Sequence, residues 1–185
     1  MVLMIGIYTQ RLRFVLDAVV VIKAHELGIW ELLIERAQVL VPATVVRDEA
    51  FYFDTEPGEK RYAINLKDLI NSGKIIEEAA SVAELKNLHD IFDSITLEGL
   101  DPGETEALAI VKSGRLGEVF FCTSDKAAIR ALALMGCSEH GISFEELLKR
   151  YGLQKTLDPQ YTQDFFNYHL SKGKQDRITG VGLKS

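Results

Sequence analysis

Acidic side chains follow two of the apolar runs in this chain, and they are the residues best placed to do chemistry. Asp17 comes directly after Phe14-Val-Leu16, and Asp125 follows Phe120-Phe-Cys-Thr123 after one serine. In open α/β sheets, ligands bind in the crevice beyond the carboxyl ends of the strands. If the two runs form neighbouring strands, we expect both carboxylates to face one crevice.

Two further regions can supply acids to the same crevice. Asp48 and Glu49 lie in a helix predicted after the second strand, and Glu104 and Glu106 lie in the first turns of the segment DPGETEALAI. Carboxylates that share a site repel one another unless a cation is present. Oxygen ligands without Cys or His select a hard ion such as Mg²⁺ or Mn²⁺, which can polarise a phosphodiester and activate water for in-line attack. The four regions together therefore predict a metal site for phosphodiester hydrolysis.

Each acid also has a purely structural interpretation. Asp17 and Asp125 stand where a helix N-cap is expected, and Ser124 would cap the same helix as well as Asp125 would. Glu104 completes a capping box with Asp101. No single acid distinguishes the two interpretations, so the metal-site hypothesis depends on their joint placement.

The elements that must position these acids alternate between strands and helices. Strands are predicted at residues 14–17, 39–41, 75–76 and 118–123 and near Cys137, and a polar turn is predicted at residues 54–61. Helices are predicted at residues 19–27, 29–37, 44–53, 64–72, 81–94, 101–113, 125–135 and 144–150. This alternation predicts an α/β fold of three layers, α/β/α, in which a small and mainly parallel sheet has helices on both faces.

The chain of 185 residues fits one domain with an appendage. The alternating pattern weakens after Gly152, so we predict a domain at residues 1–153 and a C-terminal extension at residues 154–185. Within the extension we expect one helix at residues 161–170. Residues 171–185 are polar and glycine-rich, and we expect them to be loose.

The net charge of −6 argues against a protein that coats nucleic acid non-specifically, which would be basic. The charge is uneven, because residues 1–150 carry −8 and residues 151–185 carry +2. An acidic body fits a cation-binding site, and it also fits simple solubility. The apolar runs are too short to span a membrane, and the stretch MVLMIGIYTQRLR places apolar residues before positive ones, the reverse of a secretory signal. We therefore expect a cytoplasmic protein.

The four acidic regions, taken in order, resemble the PIN-domain family of metal-dependent nucleases. The stretch Asp17-Ala-Val-Val-Val-Ile22 resembles the opening block of the family, and residues 41–49 resemble the second block. The strongest match is Leu100-Asp-Pro-Gly-Glu-Thr-Glu-Ala-Leu-Ala109, which is similar to a prokaryotic subgroup whose Gly-Glu-x-Glu-Ala segment supplies the third acid. Cys122-Thr-Ser-Asp-Lys-Ala-Ala128 resembles the fourth block. The resemblance covers about residues 13–153.

The resemblance implies a function and a set of site residues. The metal ligands, which are also the catalytic residues, would be Asp17, Glu49, Glu106 and Asp125. Asp48 is the alternative to Glu49, and Glu104 is the alternative to Glu106, which is preferred because Glu104 already has a capping role. The family implies an endoribonuclease dependent on Mg²⁺ or Mn²⁺. Many small prokaryotic members resemble toxins of the VapC type, which implies an RNA substrate, an antitoxin partner and a homodimer.

Two positions depart from the family pattern. Val19 stands where the family often has Ser or Thr, and Ser124 stands where a second aspartate is common. These departures motivate the alternative prediction, a catalytically inactive PIN-fold module that binds RNA or a protein. A phosphatase or phosphotransferase with a strand-end aspartate is disfavoured, because position 19 is not an aspartate and the sequence contains no glycine-rich phosphate loop.

Overall fold

A computed structural model describes residues 12–50, 52–54 and 60–184. The strands are β1 (Arg13–Leu16), β2 (Gln38–Pro42), β3 (Tyr52–Asp54), β4 (Arg61–Ala63), β5 (Ile76–Glu78), β6 (Val119–Cys122) and β7 (Gly141–Ile142). The α-helices are α1 (Ala18–Glu26), α2 (Trp30–Arg36), α3 (Leu66–Asn71), α4 (Val82–His89), α5 (Ser94–Glu98), α6 (Pro102–Ser113), α7 (Lys126–Leu134), α8 (Phe144–Arg150) and α9 (Gln163–Thr179). Residues 1–11 lie outside the described part of the chain. They include most of the stretch from which we predicted that the chain has no secretory signal.

Five parallel strands form the central sheet, in the order β5-β2-β1-β6-β7. The chain runs outward from β1 through β2 to β5 and then crosses to the other side of β1 to form β6 and β7. The strand order therefore reverses between β1 and β6, which is where α/β sheets open a crevice at their carboxyl ends. In the register of these two strands, Leu16 lies opposite Cys122, so the residues that follow them leave the sheet side by side.

Alternate residues of each strand face opposite sides of the sheet and enter two separate cores. Phe14 and Leu16 pack with buried residues of α1, α2 and α8, whereas Val15 packs with buried residues of α6 and α7. The sheet is therefore covered by helices on both faces. This confirms the predicted α/β fold of three layers.

Two capping boxes fix the starts of α4 and α6, as predicted. In each box, the side chain of the first residue accepts from a backbone N–H and the glutamate three positions later binds back, with Ser81 paired to Glu84 and Asp101 to Glu104. Helix α4 is shorter than expected, because it ends at His89 and the chain starts again at α5. Asp93 caps this next helix by accepting a hydrogen bond from the backbone N–H of Thr96 at 2.8 Å.

The helix predicted at residues 44–53 is wrong in its second half. The helical turn ends at Glu49 as a π-helix (Val45–Glu49), with the backbone N–H of Ala50 donating to the carbonyl of Val45 at 3.1 Å. Strand β3 then pairs antiparallel with β4. The extended conformation brings the Phe53 ring to 5.4 Å from His25 and to 5.4 Å from Tyr62, measured between ring centroids. These tertiary contacts override the local helical pattern. Residue 51 and residues 55–59, which include most of the predicted polar turn, lie outside the described residues.

The prediction that residues 171–185 are loose is wrong over its described part. Helix α9 continues to Thr179 and packs against α7, where Gly173 lies against the backbone of Arg130. Arg177 donates a hydrogen bond to the carbonyl of Leu134 at 3.0 Å. Phe166 is buried in the same core as α6 and α7. The polar composition misled the prediction because only a narrow stripe of α9 faces α7.

None of the helices within the described ranges is both long and apolar enough to cross a membrane.

Candidate functional site

Asp17 lies at the carboxyl end of β1 and is almost fully buried, with 3 % of its surface exposed. It occupies the N-cap position of α1 but makes no capping hydrogen bond with its side chain. Its Oδ2 instead accepts a hydrogen bond from Thr123 Oγ1 at 2.8 Å. Burial raises the pKa of Asp17 to about 7, against the lowering effect of the hydrogen bonds from Thr123 and Ala18, and the nearby charges of Glu49 and Asp125 raise it further. A capping role therefore does not explain this residue.

Asp125 lies on the adjoining chain segment, after β6. Its Oδ1 accepts hydrogen bonds from the backbone N–H groups of Ala127 at 2.6 Å and Ala128 at 3.1 Å, so this aspartate does cap α7. Thr123 links the two acids, because its Oγ1 accepts from the backbone N–H of Asp125 at 3.0 Å while donating to Asp17. Thr123 was not predicted as a site residue, although its place in the strand-end pattern Thr-x-Asp was a usable signal.

Glu104 faces these two aspartates from α6. It is 4 % exposed, and its Oε2 accepts the capping hydrogen bond from the backbone N–H of Asp101 at 3.0 Å. Burial raises the pKa of Glu104 to about 8, and the negative charges of Asp17, Asp125 and Asp101 raise it further. The capping hydrogen bond occupies only one of its two oxygens.

Glu106, the residue preferred from the sequence, has a different environment. Its Oε2 accepts from the backbone N–H of Thr44 at 2.7 Å, and its Oε1 accepts from the backbone N–H of Ala80 at 3.1 Å. Thr44 follows β2 and Ala80 follows β5, so Glu106 ties the ends of two strands to α6. Both of its oxygens are engaged by backbone donors.

Glu49 lies half-buried at the end of the π-helical turn, and Asp48 beside it is exposed. Glu49 Oε1 accepts a hydrogen bond from the backbone N–H of Gly103 at 2.8 Å. A Cβ at position 103 would collide with Glu49 Oε2 and lie 2.7 Å from Val45 Cγ2. The Glu49 carboxylate can therefore occupy this place only because residue 103 is a glycine. Burial raises the pKa of Glu49, and Asp101, Asp48 and Glu106 add to that effect. Single π-helical turns are often found at functional sites.

Four acids thus form what we call the carboxylate cluster: Asp17, Glu49, Glu104 and Asp125. An open groove of about 630 Å³ reaches the cluster beside Glu49, between α1, the π-helical turn and the start of α6. Val19 lies on this groove and is 40 % exposed. Asp101 also lines the groove, so the approach to the cluster is acidic.

Within the described residues, no three His, Cys, Asp or Glu side chains are arranged so that they could hold a metal ion as they stand. The chemistry of the cluster nevertheless suits a hard divalent cation, since its donors are all carboxylate oxygens. The pKa values of Asp17 and Glu104, raised to about 7 and about 8, reflect burial first and then repulsion by neighbouring carboxylates. A bound cation would relieve both, because it favours the ionised form of each acid.

Comparisons with known proteins found no match among protein-family models, curated proteins or solved structures.

Proposed function

We propose that this protein is an endoribonuclease dependent on Mg²⁺ or Mn²⁺ and that the carboxylate cluster holds the ion. The observation that supports this most is the pair of buried acids Asp17 and Glu104, which lie close enough for the charge of Asp17 to raise the pKa of Glu104. They lie where the strand order of a parallel sheet reverses, the usual position of a ligand site in such folds. Burying an ionised carboxylate is costly, and a bound cation would offset that cost for both acids.

Each member of the cluster has its own part in this proposal. Asp17, Glu104 and Asp125 hold the ion, and Glu49 reaches it from the groove. Thr123 keeps Asp17 oriented through its hydrogen bond. The bound ion would polarise the phosphate and lower the pKa of an attacking water. We replace Glu106 by Glu104 in the predicted ligand set, because both oxygens of Glu106 accept backbone N–H groups.

The preference for RNA comes from the resemblance of residues 100–109 to the PIN subgroup. That resemblance also implies cleavage that leaves 5′-phosphate and 3′-hydroxyl ends. The antitoxin partner and the homodimer implied by the same resemblance stay predictions.

The first experiment is a cleavage assay on labelled single-stranded RNA and DNA with Mg²⁺, with Mn²⁺ and with EDTA. We expect metal-dependent cleavage of RNA by the wild type and its loss in Asp17→Asn. The loss should exceed ~100-fold, since even residues behind the ligands typically change metal-site activity by ~10–100-fold. Asp48→Asn is the matched control, because this exposed neighbour of the cluster undergoes the same change of charge.

Cleavage by Asp17→Asn at the wild-type rate would refute the role of Asp17. The position of Val19 on the groove favours the second candidate, an inactive binding module. That candidate predicts no cleavage by the wild type and no rise in melting temperature with Mn²⁺, whereas a site that binds the ion must stabilise the folded chain.

A further inference from the structure

A basic and aromatic surface adjoins Asp125 on the side formed by α9. Lys126 follows Asp125 in the first turn of α7, and on α9 Lys172 comes four residues after Tyr168 and three residues after His169. Residues with this spacing share one face of a helix. Since α9 packs across α7, the two sets lie beside each other. We call Lys126, Tyr168, His169 and Lys172 the α7–α9 surface.

The aromatic part of this surface is held in place and remains accessible. The rings of Phe165 and His169 lie 4.4 Å apart, and the ring of Tyr168 meets His169 edge-on at 5.0 Å. Lys172 Nζ lies 5.7 Å from the centre of the Tyr168 ring. Tyr168 is nevertheless 59 % exposed. It is therefore available to a flat ligand.

The charged part of the surface is not neutralised by the protein. In the part of the chain that the structure describes, neither Lys126 nor Lys172 forms an ion pair, whereas the neighbouring Arg130 is bound to Asp176 at 2.5 Å. Burial lowers the pKa of His169 most, and the charges of Arg130, Lys126 and Asp125 also act on it. These three residues therefore lie close to His169. A protein of net charge −6 thus presents two unpaired lysines next to its acidic cluster.

We propose that the α7–α9 surface binds single-stranded RNA next to the phosphate that is cut, with a base stacked on Tyr168 and backbone phosphates on Lys126 and Lys172. This proposal rests on the proposed nuclease function, which supplies the scissile phosphate at the carboxylate cluster. Proteins that bind single strands combine a positive track for the backbone with aromatic side chains for the bases. The cluster itself repels RNA, so attraction must come from cations placed beside it. In this proposal the basic C-terminal extension, residues 154–185, contributes to RNA binding through α9.

The test is the binding of a fluorescently labelled single-stranded RNA in EDTA, followed by anisotropy at several salt concentrations. We expect Tyr168→Ala to weaken binding about 5- to 150-fold, the range of one lost base stack, and Tyr168→Trp to restore it. Lys126→Ala combined with Lys172→Ala should weaken binding and reduce the slope of log K against log salt by about 1.4, or about 0.7 for each phosphate contact.

Lys174→Ala is the matched control for Lys172. It removes the same charge from an exposed position on α9, about 200° around the helix from Lys172, and should leave both affinity and salt slope unchanged. Melting temperatures of all variants show whether they fold, and the substituted side chains are largely exposed.

The outcomes separate this proposal from the nuclease. Wild-type affinity in Tyr168→Ala and in the double lysine variant overturns the α7–α9 surface, as does an absence of RNA binding by the wild type, and either result leaves metal-dependent cleavage to be judged by its own assay. Binding that depends on the surface, without cleavage in Mg²⁺ or Mn²⁺, supports the surface and overturns the nuclease. Equal loss of binding in Lys174→Ala also overturns the proposal, because the effect would then be one of net charge alone.

Discussion

Glu104 and Glu106 stand two residues apart on α6 and have opposite tasks. Glu104 is buried against Asp17 and Asp125, and burial and their charges raise its pKa to about 8. Glu106 is buried as well, but its two oxygens accept from the backbone N–H groups of Thr44 and Ala80. Glu104 is therefore repelled by its neighbours when it is ionised, whereas Glu106 is hydrogen-bonded to the backbone beyond the ends of β2 and β5.

Replacing each glutamate by glutamine separates these tasks. We expect Glu104→Gln to abolish metal-dependent cleavage and to raise the melting temperature in EDTA above about pH 8, where Glu104 is ionised and the fold holds its charge at a cost. We expect Glu106→Gln to lower stability by ~1–3 kcal/mol, since an amide nitrogen facing Thr44 or Ala80 leaves a buried N–H without an acceptor. Denaturant unfolding in EDTA and the RNA cleavage assay measure the two effects.

The two variants serve as controls for each other, because each makes the same chemical change on the same helix. If Glu106→Gln lost cleavage while keeping its stability, and Glu104→Gln kept cleavage, the original choice of Glu106 as the metal ligand would be correct.

The packing of α9 on α7 is a feature of whole elements. Gly173 lies in the contact, and a Cβ at this position would lie 2.5 Å from the carbonyl oxygen of Arg130 and 2.8 Å from the Cβ of Ala133. The first of these neighbours is backbone and cannot rotate away. The two helices approach closely because position 173 has no side chain.

Gly173→Ala tests this contact with a clear sign. In an exposed helix the change would stabilise the chain by ~1 kcal/mol, because alanine favours helix. Here we expect destabilisation of ~1–3 kcal/mol, the usual cost of forcing an extra methyl group into a packed contact. Thermal and denaturant unfolding measure the change, and Ser171→Ala, at an exposed position of the same helix, is the control. A stabilised Gly173→Ala would mean that α9 does not pack on α7 as described.

At the scale of the whole molecule, the order of the strands brings the acids together. Asp17 and Asp125 are far apart in the sequence, and the pairing of β1 with β6 places them side by side. Glu104 and Glu49 join them from α6 and the π-helical turn, which are linked by the hydrogen bond from Gly103 to Glu49. Because two of these acids have raised pKa values, we expect the stability of the whole chain to depend on pH.

We expect the free energy of unfolding in EDTA to fall as the pH rises from about 4 to about 8. The pKa values of Asp17 and Glu104 are raised from 3.8 to about 7 and from 4.5 to about 8. In this window the folded chain binds more protons than the unfolded chain, so raising the pH favours unfolding. Below the unfolded pKa values the contribution of these groups is fully present, and above about 8 it is lost.

Denaturant unfolding across this pH range measures the effect, with the double variant Asp17→Asn, Glu104→Gln as the reference. The difference between wild type and double variant isolates the two acids, because every other titratable group is the same in both. Mn²⁺ should stabilise the wild type more at pH 8 than at pH 6, since the ion competes with protons for the carboxylates. A wild-type curve parallel to that of the double variant would show that neither acid is perturbed.

Local physical chemistry allowed much of this protein to be predicted from its sequence. The alternation of apolar runs and helical segments predicted a parallel sheet with helices on both faces, and the capping boxes at Ser81 and Asp101 predicted two helix starts. Such signals can be read locally, because a cap or a strand end depends on residues within a few positions of each other. The strand-end positions of Asp17 and Asp125 were visible for the same reason.

The tertiary structure alone decided which glutamate of α6 faces the aspartates. Two residues of a helix that are two positions apart point in different directions, and the sequence does not say which side of α6 meets the sheet. It also decided that β3 pairs with β4 instead of extending a helix, and that α9 continues past residue 170. In each case contacts with distant residues outweigh local preference: Phe53 with His25, Gly173 with Arg130, and Glu106 with the ends of β2 and β5. The sequence by itself thus determined which residues could do chemistry, and the packing of distant segments decided which of them meet.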